Sequence, residues 1–74
     1  MSNTQFVSEY INVLGRVEKY TLFYNLEYCE EIQRKLEEQE KDNVKYRVKS
    51  LGENYYIEVY EIDEDGSEYI FGRL

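Results

Sequence analysis

The sequence has no histidine, no proline, no tryptophan and a single cysteine among its 74 residues. With Cys29 alone and no imidazole, the usual zinc ligand sets are out of reach and no internal disulfide can form. No serine has a histidine to activate it, and no glycine-rich phosphate loop is present. No apolar run approaches the roughly 18 residues needed to span a bilayer. The opening MSNTQF lacks the basic and apolar regions of a signal peptide, so a cytoplasmic location without membrane contact is expected. Low-complexity runs, repeats and linkers are also missing, which makes residues 1–74 one domain.

What the chain does have is nine tyrosines, 42% hydrophobic and 34% charged residues, and a formal net charge of −7. That balance belongs to a folded domain near the size where one apolar core is only just sufficient, with no large enclosed pocket. Cys29, at helical spacing with apolar neighbours, reads as a small buried hydrophobe. The negative charge disfavours nonspecific attraction to phosphates or anionic lipid, and suits solubility or a basic partner.

Over residues 4–14, Phe6, Val7, Tyr10, Ile11 and Leu14 recur at the spacing of an amphipathic helix, with Thr4 as its cap and Gly15 as its end. Residues 17–24 alternate bulky β-preferring side chains and predict a strand. Asn25 caps a second helix, where Leu26, Cys29, Ile32 and Leu36 form the apolar stripe, ending near Glu40. Its outward side carries Glu27, Glu30, Glu31, Glu37, Glu38 and Glu40 against Arg34, Lys35 and Lys41. Beyond Val44 the period becomes two. VKYRVKS, NYYIEVYEI and residues 68–73 then form an antiparallel meander turned at Gly52-Glu53 and, as a type I′ turn, at Asp65-Gly66.

Two-residue loops put Arg47 opposite Glu58, Lys49 opposite Tyr56, Lys45 opposite Tyr60 and Val48 opposite Ile57. In the second hairpin they put Tyr60 beside Phe71, Ile62 beside Tyr69 and Glu58 beside Arg73. An inner face of Val44, Tyr46, Val48, Tyr55, Ile57, Val59, Ile70 and Leu74 then meets the second helix. An outer face mixes Lys45, Arg47, Lys49, Tyr56, Tyr60, Tyr69, Phe71 and Arg73 with Glu58 and Ile62. The expected fold is α+β, order α-β-α-β-β-β, with a helix packed on one face of an antiparallel sheet.

Three uses of the outer face compete: structural covering, in which the first helix or the lysine stems shield the tyrosines; a protein-binding patch of rigid aromatics and arginine; and stacking of single-stranded nucleic acid, which the global charge disfavours. Glu30, Glu31, Glu37 and Glu38 of the helix, with Asp63, Glu64 and Asp65 of the turn, form a second candidate surface able to mimic the phosphates of DNA. In size and charge the chain resembles phage-encoded inhibitors of restriction, CRISPR or DNA-repair enzymes, a likeness that extends to no motif.

IDEDGSE looks like part of a calcium loop but is too short and lies between strands, so a turn without metal is expected. Glu58 and Glu61, three apart on a strand, point to opposite faces and cannot share a substrate. The expected function is therefore non-enzymatic and without cofactor. It is that of a protein-binding module, an inhibitor or regulator of a larger, basic, nucleic-acid-processing enzyme, with single-strand binding or homodimeric self-association as alternatives.

Overall fold

A computed structural model describes residues 4–39 and 43–74. The elements run β1 (Gln5–Ile11), β2 (Val17–Phe23), α1 (Leu26–Gln39), β3 (Val44–Leu51), β4 (Asn54–Ile62) and β5 (Glu68–Arg73). The α+β class and the helix packed on an antiparallel sheet are as the sequence patterning predicts. Glu40 and Lys41, assigned above to the helix end and its charged side, lie outside the described residues.

The first element departs from its pattern. Residues 4–14, whose apolar spacing predicts a helix, form β1, paired along its whole length with β2. The spacing of one and three that marks a helix also puts Phe6 and Tyr10 on one strand face and Val7 and Ile11 on the other. What decides between them is the turn. Asn12 Oδ1 accepts hydrogen bonds from the amides of Leu14 and Arg16, at 2.9 and 3.0 Å. The Asn12 amide donates to the Arg16 carbonyl, and Gly15 takes a positive φ of 78°. This is a type I turn closed by a left-handed glycine, a hairpin device that no helix would leave intact.

The same device recurs in the second half. Asp63 Oδ1 accepts from the amides of Asp65 and Ser67 at 3.1 Å each, the Asp63 amide donates to the Ser67 carbonyl, and Gly66 has φ 88°. No non-glycine residue described has positive φ, which rules out the type I′ turn expected at Asp65-Gly66. The longer turn moves the pairing by one residue, so Tyr60 faces Ile70 and Ile62 faces Glu68, rather than Phe71 and Tyr69. A bulge at Phe71 restores the expected Glu58–Arg73 pair. Ile70, expected on the helix-covered side, thereby joins Tyr60 on the opposite side. The β3–β4 hairpin follows its predicted register from Val44 opposite Glu61 to Leu51 opposite Asn54.

Helix α1 starts where predicted: Asn25 Oδ1 accepts from the Tyr28 amide at 3.1 Å. Phe23, Cys29 and Ile57 are buried beneath it, with Ile32, Leu36, Tyr46, Val48 and Tyr55 packed around them. Val59 is half-buried on the same side. The opposite sheet face has its own core of Tyr20, Leu22 and Tyr56, flanked by Phe6 and Tyr10.

These cores lie on either side of a fork. Strands β2 and β4 pair only at Phe23 and Tyr55 and then separate. The end of β5 enters the gap, where Leu74 donates its amide to the Ile57 carbonyl and accepts from the Thr21 amide, both at 2.8 Å. Gly72 passes Tyr10 so closely that a Cβ would lie 2.9 Å from the phenolic oxygen, at a φ of 148° that L side chains rarely adopt. Gly72→Ala is therefore expected to destabilise the fold by about 1–3 kcal/mol in urea unfolding. Adding Tyr10→Phe, which removes the clashing atom, should recover part of that loss.

Candidate functional site

The outer face is built from both hairpins. Arg73 projects from β5 into the fork, where its guanidinium lies 4.3, 4.8 and 4.4 Å from the ring centres of Tyr10, Tyr20 and Tyr56. The rings meet edge to face, Tyr10 with Tyr20 at 5.3 Å and Tyr20 with Tyr56 at 5.6 Å. Three aromatic rings around one planar cation make a cage that the protein fills with its own side chain. No carboxylate lies within ion-pair distance of Arg73 among the described residues. The Tyr10 hydroxyl donates to Glu18 Oε2 at 2.9 Å, and burial followed by this carboxylate raises its pKa.

The second arginine of this face is also engaged. Arg47 Nε donates to Glu58 Oε1 at 2.6 Å, its Nη2 lies 3.2 Å from Glu68 Oε1, and its guanidinium sits 4.2 Å from the centre of the Tyr60 ring. Glu58, first of the two carboxylates in effect, raises the Arg47 pKa further. Glu58 is only 8% exposed, and the pairing with Arg47 offsets the cost of burying it. Of the residues assigned to the sheet face, Tyr56 is buried and Arg47, Tyr60 and Arg73 are half-buried. Lys45, Lys49, Tyr69 and Phe71 remain exposed. Tyr69 pairs with Glu61 rather than Ile62 and points away from Tyr60.

Beside the Arg73 cage lies a cleft of about 200 Å³ lined by Ile11, Val13, Ile70 and Phe71 as well as Tyr10 and Arg73. Val13 is 100% exposed, Ile11 72% and Phe71 58%. Ile11 and Val13 are missing from the sites read in the sequence, because a helix over residues 4–14 would have hidden one and carried the other away. The usable signal was the Asn12-to-Gly15 spacing, which matches Asp63 to Gly66.

Part of the acidic set gathers at one end. Cys29 packs on Ile57, the partner of Val48, while Gln33 Nε2 donates to the Tyr46 carbonyl at 2.8 Å. Four helical residues and two strand residues both advance about 6 Å, so α1 and β3 run antiparallel in step. One further step sets Glu37 level with Val44 and its partner Glu61, next to the turn that bears Asp63, Glu64 and Asp65. Glu30 and Glu31 are exposed nearer the start of the helix, where Glu31 pairs with Lys35 at 3.7 Å. The last helical turn holds no basic residue, leaving Glu37 and Glu38 against the negative end of the dipole. Hydrogen bonding with the Asp63 side chain, then with Ser67, holds the Asp65 carboxyl down at about 2.

Comparison with protein-family models, curated proteins and solved structures gives no match. Among the described residues no helix is long and apolar enough to cross a membrane, and no three Cys, Asp or Glu side chains are placed to hold a metal ion.

Two outcomes test the energetics. Arg47→Met strips the buried Glu58 carboxylate of its main partner and should cost about 3 kcal/mol in urea unfolding, while the Arg47→Met, Glu58→Gln pair should recover much of it. Cys29 is fully buried, and that burial, followed by Glu30, pushes its thiol up to about 11. A raised thiol pKa contributes stability below its ordinary value and loses it as pH climbs through about 11. Wild type should therefore lose more stability than Cys29→Ala between about pH 8 and 10.5, and the native thiol should resist a disulfide reagent until the chain unfolds.

Proposed function

We propose that this chain is a non-enzymatic protein-binding module, an inhibitor or regulator that docks on a larger, basic, nucleic-acid-processing enzyme. The observation that carries the reading is the exposed apolar rim of the cleft, where Ile11, Val13, Ile70 and Phe71 meet around a half-buried arginine and tyrosine. Exposed apolar groups gathered on one side of so small a domain are the mark of a contact surface, with Arg and Tyr at its centre. The net charge of −7 selects a partner of opposite sign and speeds the encounter. Single-stranded nucleic acid fits less well, since Arg47 and Arg73 are occupied by carboxylates and rings and Tyr56 offers no free face for a base.

A second reading rests on the acidic end. Glu37 and Glu38 oppose their own helix dipole beside an acidic turn, a local conflict that concentrates negative potential where a basic groove could receive it. Surface DNA mimicry would use this end, with Glu30, Glu31, Asp63, Glu64 and Asp65 as its flank.

The readings separate by partner capture from the source cell with matched variants. Docking through the cleft predicts at least a tenfold loss with Phe71→Asp or Ile70→Lys, on the order of one hot-spot side chain. Four lysines at Glu30, Glu31, Glu37 and Glu38 should then chiefly slow association. The reverse order would transfer the site to the acidic end, and capture indifferent to both sets would end the proposal.

A further inference from the structure

Two edges of the sheet, β3 and β1, are defended very differently. Along β3 the edge projects Lys45, Arg47 and Lys49, the charged side chains that keep foreign strands away. Strand β1 has no lysine, no arginine, no proline and no bulge, and its only strand neighbour among the described residues is β2. Its pairing alternation is set at both ends: the Thr4 carbonyl accepts from the Tyr24 amide, and the Asn12 amide donates to Arg16. Even-numbered positions therefore bond to β2, and Gln5, Val7, Glu9 and Ile11 turn their N–H and C=O groups to the open side.

This edge belongs to a hairpin without net charge in an acidic molecule. In the β1–β2 hairpin Glu9 and Glu18 are balanced by Arg16 and Lys19, while the chain as a whole carries −7. The hairpin also leaves Val7 67% exposed, together with Ile11 and Val17 on the same face. Two copies approaching through their helices or acidic turns would repel, whereas the hairpins carry no net charge to oppose their approach.

From this we infer that the open edge of β1 is a homodimer interface, in which β1 pairs antiparallel with β1 of a second copy about a two-fold axis at Ser8. That register sets Val7 against Glu9 of the second copy and Gln5 against Ile11, joined by about eight backbone hydrogen bonds. On the other face it sets Phe6 against Tyr10 of the second copy, an aromatic pair across the closer, non-hydrogen-bonded positions. A register centred on Glu9 would oppose two carboxylates. The inference goes beyond the partner-docking reading: the two surfaces share Tyr10 and Ile11, but Val7 and Ser8 belong to the strand edge alone and Ile70 and Phe71 to the cleft alone.

Sedimentation equilibrium of the whole chain tests it. Wild type should move from 9.0 kDa towards twice that mass as concentration rises through the micromolar to millimolar range. Val7→Pro removes an N–H that has no bond within the chain and should remain monomeric with an unchanged circular dichroism spectrum. Val7→Glu, which meets Glu9 twice in the symmetric pair, should weaken association about tenfold. Mild oxidation should cross-link Ser8→Cys, whose copies meet on the axis within disulfide range, in preference to Glu9→Cys. A wild type monomeric to millimolar concentration overturns the inference, as does dimerisation undiminished in Val7→Pro or preferential cross-linking of Glu9→Cys. A monomer that still captures its partner through Phe71 would overturn the dimer alone.

Discussion

Arg73, wedged among Tyr10, Tyr20 and Tyr56, is the contact on which the arrangement of the two hairpins depends. Strands that pair at one position and then diverge leave a gap that backbone hydrogen bonds cannot close. Here Leu74 bridges the backbones, and the flat guanidinium with its aliphatic stem fills the space above them. A lysine would present a point charge, strongly hydrated, where three ring faces call for a plane. The close passage of Gly72 beneath Tyr10 follows from the same wedge, since β5 must enter the fork before Arg73 can reach the rings.

That wedge also divides the surface by chemistry. It withdraws Arg73 from solvent, while Glu58 and Glu68 withdraw Arg47, so much of the positive charge on the aromatic face is neutralised or sheathed in rings. Glu37 and Glu38 of α1 and the acids of the β4–β5 turn meanwhile share one end, with Glu30 and Glu31 exposed nearer the helix start. Beside the Arg73 cage lies the cleft, whose apolar rim comes from two segments some sixty residues apart in the chain. Under the proposed reading, burial of this exposed apolar rim would give affinity for a basic partner and the net charge would give speed.

Much of this was legible in the residues. The change of period at Val44, the cap at Asn25 and the two-residue turn at Gly52-Glu53 act through near neighbours, so the helix and the β3–β4 register follow from local rules. Residues 4–14 escaped because their apolar spacing satisfies a helix and a two-faced strand equally well. The tie is broken by Asn12 and Gly15, and only when NVLGR is compared with DEDGS does the shared spacing of Asx and glycine show.

By itself, then, the sequence determined the two faces of the β3–β4 hairpin, the acidic helix, the isolation of Cys29 and the pairing of Arg47 with Glu58, each through contacts short in sequence or dictated by strict alternation. Tertiary structure alone decided that Tyr56 would be buried, that Phe71 would bulge and that Arg73 would find three rings. Those outcomes depend on how far two hairpins diverge at Phe23 and Tyr55, and such an angle is the sum of twist and packing over the whole sheet rather than a property of any one segment.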